Sequence, residues 1–156
     1  MLKLENFSVH RKDLCVVNQI NLSLQRGKIY AILGANGAGK SSLLGAIFGE
    51  FVSSGQLKFD DKDLSKKLIG YMPQDNYIEA SLTALEVVLL GLGNQLGMYL
   101  SDMQIKKAAK IMEELSILHL AQRDISTLSG GQRQMVNFAS VLLKEPQILL
   151  LDEPVS

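Results

Sequence analysis

The chain has 156 residues, of which 47% are hydrophobic, and its 16 basic and 16 acidic side chains cancel. This length and composition predict one globular domain with a substantial core. The balanced charge argues against a protein that attracts nucleic acid or an anionic membrane through its overall field. No apolar run is long enough for a signal peptide or a membrane span, so a cytoplasmic protein is predicted. The single Cys15 cannot form an internal disulfide and is expected to be a small residue of the protein core that lies on a strand.

Alternating apolar residues predict two early strands, LKLENFSVH and LCVVNQINLSL. The apolar run KIYAIL predicts a third strand that leads directly into the glycine-rich stretch GANGAGKSS. A short helix is expected from Lys40 to Phe48, because Gly49 would end it. GQLKF and KLIGYM predict further strands. The runs YAIL and, near the end, ILLL are typical of strands buried on both faces of a parallel sheet.

From Ser81 to about Gln122 the apolar residues follow helical spacing, first in LTALEVVLLGL and then in SDMQIKKAAKIMEELSIL. Ser101 and Gln104 predict a capping box at the start of the second helix. One face of that helix is expected to pack against the protein, and it carries Ile105, Ala108, Ile111, Met112 and Leu115. This region is therefore predicted to be a helical insert.

The stretch from Gly34 to Ser41 fits the pattern G-x-x-x-x-G-K-[ST] and lies between a predicted strand and a predicted helix. Glycines allow successive backbone N–H groups to point into one concavity, and the helix adds its positive end. Lys40 is expected to reach the β and γ phosphates of a nucleotide, and Ser41 to bind Mg²⁺. The predicted nucleotide contacts are Gly34, Asn36, Gly37, Ala38, Gly39, Lys40, Ser41 and Ser42.

A second group of candidate residues lies near the end of the chain. A helix is expected to follow LSGGQ as far as about Lys144, and QILLLDEP then predicts an apolar strand that ends in two carboxylates. Asp152 at the tip of this strand is the expected second ligand of the Mg²⁺ held by Ser41. Glu153 would point elsewhere and is expected to orient or deprotonate the attacking water.

The string LSGGQ predicts a second anion site. Ser129 is a candidate N-cap with Gln132 three residues later, while Gly130 and Gly131 leave the first helical N–H groups bare. Bare donors at the positive end of a helix attract a phosphate. The sequence therefore predicts two phosphate sites almost a hundred residues apart.

With these motifs the chain resembles the nucleotide-binding domain of ABC transporters. The family's Walker A, Q-loop, signature and Walker B motifs are matched in order by GANGAGKSS, YMPQ, LSGGQ and LLLDEP. The resemblance implies an α/β P-loop NTPase core with a mainly parallel sheet, an N-terminal antiparallel β subdomain and an inserted α-helical subdomain. Residues 1–80 and 126–156 would form the core and residues 81–125 the insert, with ATP and Mg²⁺ as cofactors.

The resemblance also implies why there are two phosphate sites. Two such domains pair head to tail, and the signature of each, through Ser129, Gly131 and Gln132, contacts the ATP held by the other. Gln74 would be the Q-loop glutamine, which senses Mg²⁺ and water, and it would act beside Lys40 and Glu153 in catalysis. The implied partners are a second copy, a transmembrane permease and, indirectly, a solute-binding protein, but no nucleic acid. The protein would then lie on the cytoplasmic side of the membrane.

Within the family the chain is similar to importers of metal chelates such as iron siderophores, haem, cobalamin or molybdate, although zinc and manganese importers have a similar insert. A soluble ABC ATPase of repair or translation is an alternative. Family members usually stack an aromatic residue on adenine where this chain has Arg11, with Phe7 and His10 nearby. They also continue beyond the equivalent of Ser156 to a histidine that His119 cannot replace. We therefore expect a fragment that binds ATP weakly and hydrolyses it poorly.

Overall fold

The structure, a computed structural model, describes residues 1–74, 81–93 and 100–152, which divide into two compact units between Ile69 and Gly70. The first unit contains an antiparallel sheet with the strand order β2-β1-β3-β4. Its elements are β1 (Leu2–Arg11), β2 (Leu14–Leu24), α1 (Lys40–Phe48), β3 (Val52–Phe59) and β4 (Lys62–Asp63), followed by a 3-10 turn at Lys66–Leu68. The predicted strands β1 and β2 and the predicted bounds of α1 are confirmed. Strand β4 was not predicted, because two residues are too few to show the alternation of apolar and polar side chains that indicates a strand.

A β-bulge bends β1 where it pairs with β3. The pairing shifts between Glu5 with Gln56 and Ser8 with Ser54, so two residues of β1, beginning with Asn6, lie opposite Gly55 alone. Gly55 has a φ of 91°, and a Cβ at this position would lie 2.3 Å from the carbonyl oxygen of Asn6. Only glycine fits this close approach of the two backbones.

Two predictions in the first unit are wrong. Residues 28–33 form no strand, and Ile29 and Leu33 are 100% and 90% exposed. A strand persists only where neighbours pair its backbone groups, and no described strand of this unit pairs with this run. Cys15 is exposed rather than buried. It lies on β2, the outer strand of the sheet, where most residues on both faces are exposed.

The second unit combines helices with a two-stranded sheet. Its elements are β5 (Ile69–Met72), which begins at the last residue of the first unit, α2 (Ala84–Leu90), α3 (Asp102–Glu114), α4 (Gly130–Leu142) and β6 (Ile148–Leu151), with 3-10 turns at Leu118–Leu120 and Ile125–Thr127. Strands β5 and β6 pair with each other. The three helices enclose an apolar core that includes Val88, Met112, Val136 and Leu143.

Helices α2, α3 and α4 each begin at a capping box. The pairs are Thr83 with Glu86, Ser101 with Gln104, and Ser129 with Gln132. The last two pairs confirm the sequence prediction, and the first has the same spacing. On α3, Ala108 and Met112 are buried as expected, whereas Ile105 is 36% exposed because it lies in the exposed first turn. None of the helices in the described ranges is long and apolar enough to cross a membrane.

Candidate functional site

The glycine-rich loop before α1 presents an uncapped helix start. Gly39 is the N-cap of α1 with a φ of 90°, and it has no side chain to cap the first amides. A Cβ at Gly39 would lie 2.9 Å from the carbonyl oxygen of Val16, so both the backbone conformation and the neighbouring strand require glycine. Gly37 has a φ of 81°, and a Cβ there would meet nothing within 4 Å. This loop therefore exposes backbone N–H groups at the positive end of α1, which suits an anion.

The side chain of Lys40 folds back onto the same loop. Its Nζ donates hydrogen bonds to the carbonyl oxygens of Gly34, at 2.9 Å, and Ala35, at 3.0 Å. The half-buried ammonium thus adds a full positive charge to the partial charge of the helix end. A ligand with several negative charges would gain most from this combination.

The other predicted contacts of the loop differ in exposure. Gly34, Asn36 and Ala38 are exposed. Ser41 in the first turn of α1 is also exposed, whereas Ser42 is only 8% exposed. Ser41 is therefore the more accessible of the two hydroxyls to a metal ion, and Ser42 contributes mainly to the packing of α1.

The predicted acidic residues belong to the second unit. Asp152 follows β6 and is 5% exposed, and its backbone N–H donates to the carbonyl oxygen of Met72 at 3.0 Å. Gln74 lies two residues beyond Met72, so Gln74 and Asp152 follow the ends of neighbouring strands. Gln74 is exposed. Glu153 lies outside the described residues, and its role stays a prediction.

The start of α4 is the second predicted anion site. The Ser129 hydroxyl accepts a hydrogen bond from the Gln132 amide at 3.3 Å, and the Ser129 amide donates to Oε1 of Gln132 at 3.0 Å. A Cβ at Gly130 or Gly131 would meet nothing within 4 Å. The first turn contains no acidic residue. The capping box therefore fixes the start of the helix, while the glycines leave space beside it.

Asp124 and Arg133, which sequence reasoning missed, anchor the chain on either side of this helix start. The Asp124 carboxylate accepts hydrogen bonds from the Ser126 amide at 2.8 Å and from the Ser81 hydroxyl at 3.0 Å. The Ser126 hydroxyl also donates to this carboxylate. That bond foremost, followed by those from the Ser126 amide and the Ser81 hydroxyl, holds the pKa of Asp124 below its ordinary value. Nη1 of Arg133 donates to the carbonyl oxygen of Leu128 at 2.9 Å. An Asp two residues before a Ser is a local turn signal that could have revealed the first contact.

The three candidates for an adenine contact have different environments. Phe7 is 2% exposed and belongs to the core of the first unit, so its ring cannot stack on a ligand. His10 is half-buried. Arg11 is exposed, and its guanidinium carbon lies 4.4 Å from the centre of the Phe51 ring. Of the three candidates, Arg11, which lies over the Phe51 ring, is therefore the planar group most accessible to an adenine ring.

Comparison with known proteins identifies relatives along the whole chain. Residues 17–156 match the ABC transporter family. A probable iron chelatin transport ATP-binding protein of Helicobacter pylori is 33% identical over 100% of this chain. The hemin import ATP-binding protein HmuV of Pseudomonas fluorescens is 38% identical over 100% of the chain. The chain spans 66% of the length of each relative.

A solved structure described as an inward-facing conformation of a "putative metal-chelate type ABC transporter" has the same fold. It superposes with a TM-score of 0.85 at 31% identity, over 98% of this chain and 59% of the other. The architecture is the α/β fold of the P-loop NTPase type, with an antiparallel N-terminal sheet and a helical part. The family match along with this superposition shows that the chain belongs to the ABC transporter family.

Proposed function

We propose that this protein is the ATP-binding and hydrolysing subunit of an ABC importer. The observation that carries the proposal is the glycine pair at the start of α4. Neither Gly130 nor Gly131 has a positive φ, and neither is crowded by a neighbouring atom. Glycine in a helix is up to about 1 kcal/mol less favourable than alanine, so the fold gains nothing from the pair. The glycine pair instead leaves room for a group from outside the chain to approach the start of α4.

That external group is the γ phosphate of an ATP bound by a second copy of this chain. The loop at residues 34–41 binds the chain's own nucleotide, because its open amides and Lys40 suit the phosphates. Ser129, Gly131 and Gln132 of one copy then contact the nucleotide of the other. Each site is complete only in the pair, so ATP binding drives association and hydrolysis reverses it.

Mg²⁺ would be held by oxygen ligands at Ser41, Gln74 and Asp152. The donor set fits the metal, since Mg²⁺ takes oxygen ligands and in nucleotide sites binds one or two carboxylates, here Asp152, together with phosphates and water. When bound, the ion neutralises negative charge on the phosphates. Lys40 binds and orients the phosphates, Gln74 positions the water, and Glu153 accepts its proton.

The proposed cargo is a metal chelate such as an iron siderophore, haem or cobalamin. Support comes from the relatives, which are named for transport of iron chelatin and import of hemin. The ATPase pair would act on a transmembrane permease from the cytoplasmic side, and on a solute-binding protein only indirectly. No role in binding nucleic acid is proposed, in keeping with the zero formal charge.

Sedimentation of the chain with Mg-ATP tests the proposal, with Mg-ADP as the control. Because ADP lacks the phosphate that the second copy contacts, we expect pairing with ATP and not with ADP. Binding of ATP without any change in mass would indicate a nucleotide-binding protein that does not use α4 in this way. The nonhydrolysed analogue adenylyl imidodiphosphate should hold the pair together and give the same mass as ATP.

A further inference from the structure

Arg133 occupies a position where helix electrostatics alone disfavour it. It is the fourth residue of α4, at the positive end of the helix dipole, and no acidic residue lies in that turn to offset its charge. The side chain is nevertheless ordered against the backbone, since Nη1 donates to the carbonyl oxygen of Leu128 at 2.9 Å in a partly buried contact. A fold selected for stability alone would favour a neutral or acidic side chain here.

The contact of Arg133 fixes one end of the peptide group between Leu128 and Ser129. The other end is the Ser129 amide, which donates to Oε1 of Gln132 at 3.0 Å. Both polar groups of this peptide are therefore held by side chains of the first turns of α4. Leu128 itself is 3% exposed and anchored in the apolar core. The backbone that leads into the open glycine pair thus has little freedom to rotate.

We propose that Arg133 is a positioning residue for the start of α4, and that it presents Ser129 and the glycine amides to the phosphate of a nucleotide bound by a second copy. The inference rests on the proposed function above. Arg133 acts in two ways: its hydrogen bond fixes the Leu128–Ser129 peptide, and its charge increases the positive potential that an anion meets. It need not touch the nucleotide to do either.

Three variants separate the hydrogen bond from the charge. Arg133→Gln keeps an N–H donor without charge, and Arg133→Lys keeps the charge and an N–H donor but not the planar guanidinium. Arg133→Met keeps only an apolar stem. Arg123→Met changes an exposed arginine outside α4 and is the matched control. Pairing in Mg-ATP is measured by sedimentation over a range of salt concentrations, beside the affinity of the unpaired chain for a fluorescent ATP analogue and the melting temperature.

We expect Arg133→Met to raise the dissociation constant of the pair by about tenfold or more, as loss of one charged hydrogen bond predicts. Arg133→Gln and Arg133→Lys should recover part of the loss, and Arg133→Gln should pair with a weaker salt dependence. Nucleotide affinity of the unpaired chain and pairing of Arg123→Met should not change.

Pairing of Arg133→Met within about twofold of the unaltered protein would overturn the inference. So would a loss of pairing in all three variants that parallels a fall in melting temperature, because Arg133 would then be merely structural. If the unaltered protein binds Mg-ATP but never pairs, the proposed function fails and this inference fails with it. The two failures are distinguishable. If the proposed function fails, the unaltered protein does not pair, whereas if only the role of Arg133 fails, the unaltered protein still pairs.

Discussion

The amide of Ser129 donates to Oε1 of Gln132 at 3.0 Å, while the Gln132 amide donates to the Ser129 hydroxyl at 3.3 Å. This reciprocal pair satisfies two of the N-terminal amides, those of Ser129 and Gln132, and fixes the first turn of the helix. The chain's own side chains therefore define the start of α4. Between the two residues lie Gly130 and Gly131, beside which there is open space.

Gly131→Ala should separate folding from pairing. Since a Cβ at this position meets nothing within the chain, we expect the melting temperature to stay the same or to rise. The added methyl group would block the approach of a phosphate, so pairing in Mg-ATP should weaken by about tenfold or more. Calorimetry and sedimentation check the two effects. Unchanged pairing would contradict the role of α4 in contacting the second copy's nucleotide.

Lys40→Met should weaken the binding of Mg-ATP by the unpaired chain. The variant loses a full positive charge, and it also leaves the carbonyl groups of Gly34 and Ala35 without their ammonium donor. Binding of a fluorescent ATP analogue is the measurement, and we expect affinity to fall by about tenfold or more. Lys144→Met, at an exposed site beyond α4, is the control that should bind normally. Normal binding of the ATP analogue by Lys40→Met would contradict the role of this loop in binding the nucleotide.

Asp124 should contribute an acid-dependent part of the stability. Its folded-state pKa lies below the ordinary 3.8, mainly because of the hydrogen bonds from Ser126, so its contribution is present above pH 3.8 and is lost as the pH falls through the folded-state pKa. Asp124→Asn removes this titration. The difference in free energy of unfolding between the two proteins, measured with urea, should therefore shrink as the pH is lowered below 3.8. A difference independent of pH would show that Asp124 is not the titrating group.

Gly55→Ala should destabilise the first unit strongly. The substitution places a Cβ 2.3 Å from a backbone oxygen at a φ of 91°. Steric overlap with a fixed carbonyl group adds to the left-handed strain, so we expect a loss above about 2 kcal/mol. Gly27→Ala is the matched control, because Gly27 also has a positive φ, 68°, but open space beside it. Its loss should be about 1–2 kcal/mol. Equal losses in urea unfolding would contradict the role of the bulge.

Local sequence signals predicted the elements that depend on local chemistry. The caps Ser101 and Ser129 follow from side-chain to backbone hydrogen bonds within one turn. Helix α1 ends at Gly49, whose φ of 83° and backbone amide close the last turn. The phosphate loop is also a local feature, because the positive φ at Gly37 and Gly39 favours glycine at these two positions. Helix α4 ends at Leu142, two residues before the predicted end, which is the usual uncertainty of a helix boundary.

Features that depend on distant partners were not predicted. The run at residues 28–33 has the composition of a buried strand, but composition does not say which strand pairs with it. Cys15 is exposed because β2 is an outer strand, a fact of sheet order that periodicity does not contain. The Arg133 contact with Leu128 was missed because a surface arginine on a helix gives no signal of its partner.

Mixing two inactive variants tests the central claim most directly. Lys40→Ala removes the ammonium group from the nucleotide loop but keeps the start of α4. Ser129→Arg keeps the loop intact but blocks the start of α4. Each variant alone should fail to pair in Mg-ATP. The mixture should form pairs with one complete site, which join the loop of the Ser129→Arg chain to α4 of the Lys40→Ala chain. Sedimentation of the mixture should therefore show ATP-dependent heterodimers. No association in the mixture, under conditions where the unaltered protein pairs, would contradict a site shared between two copies.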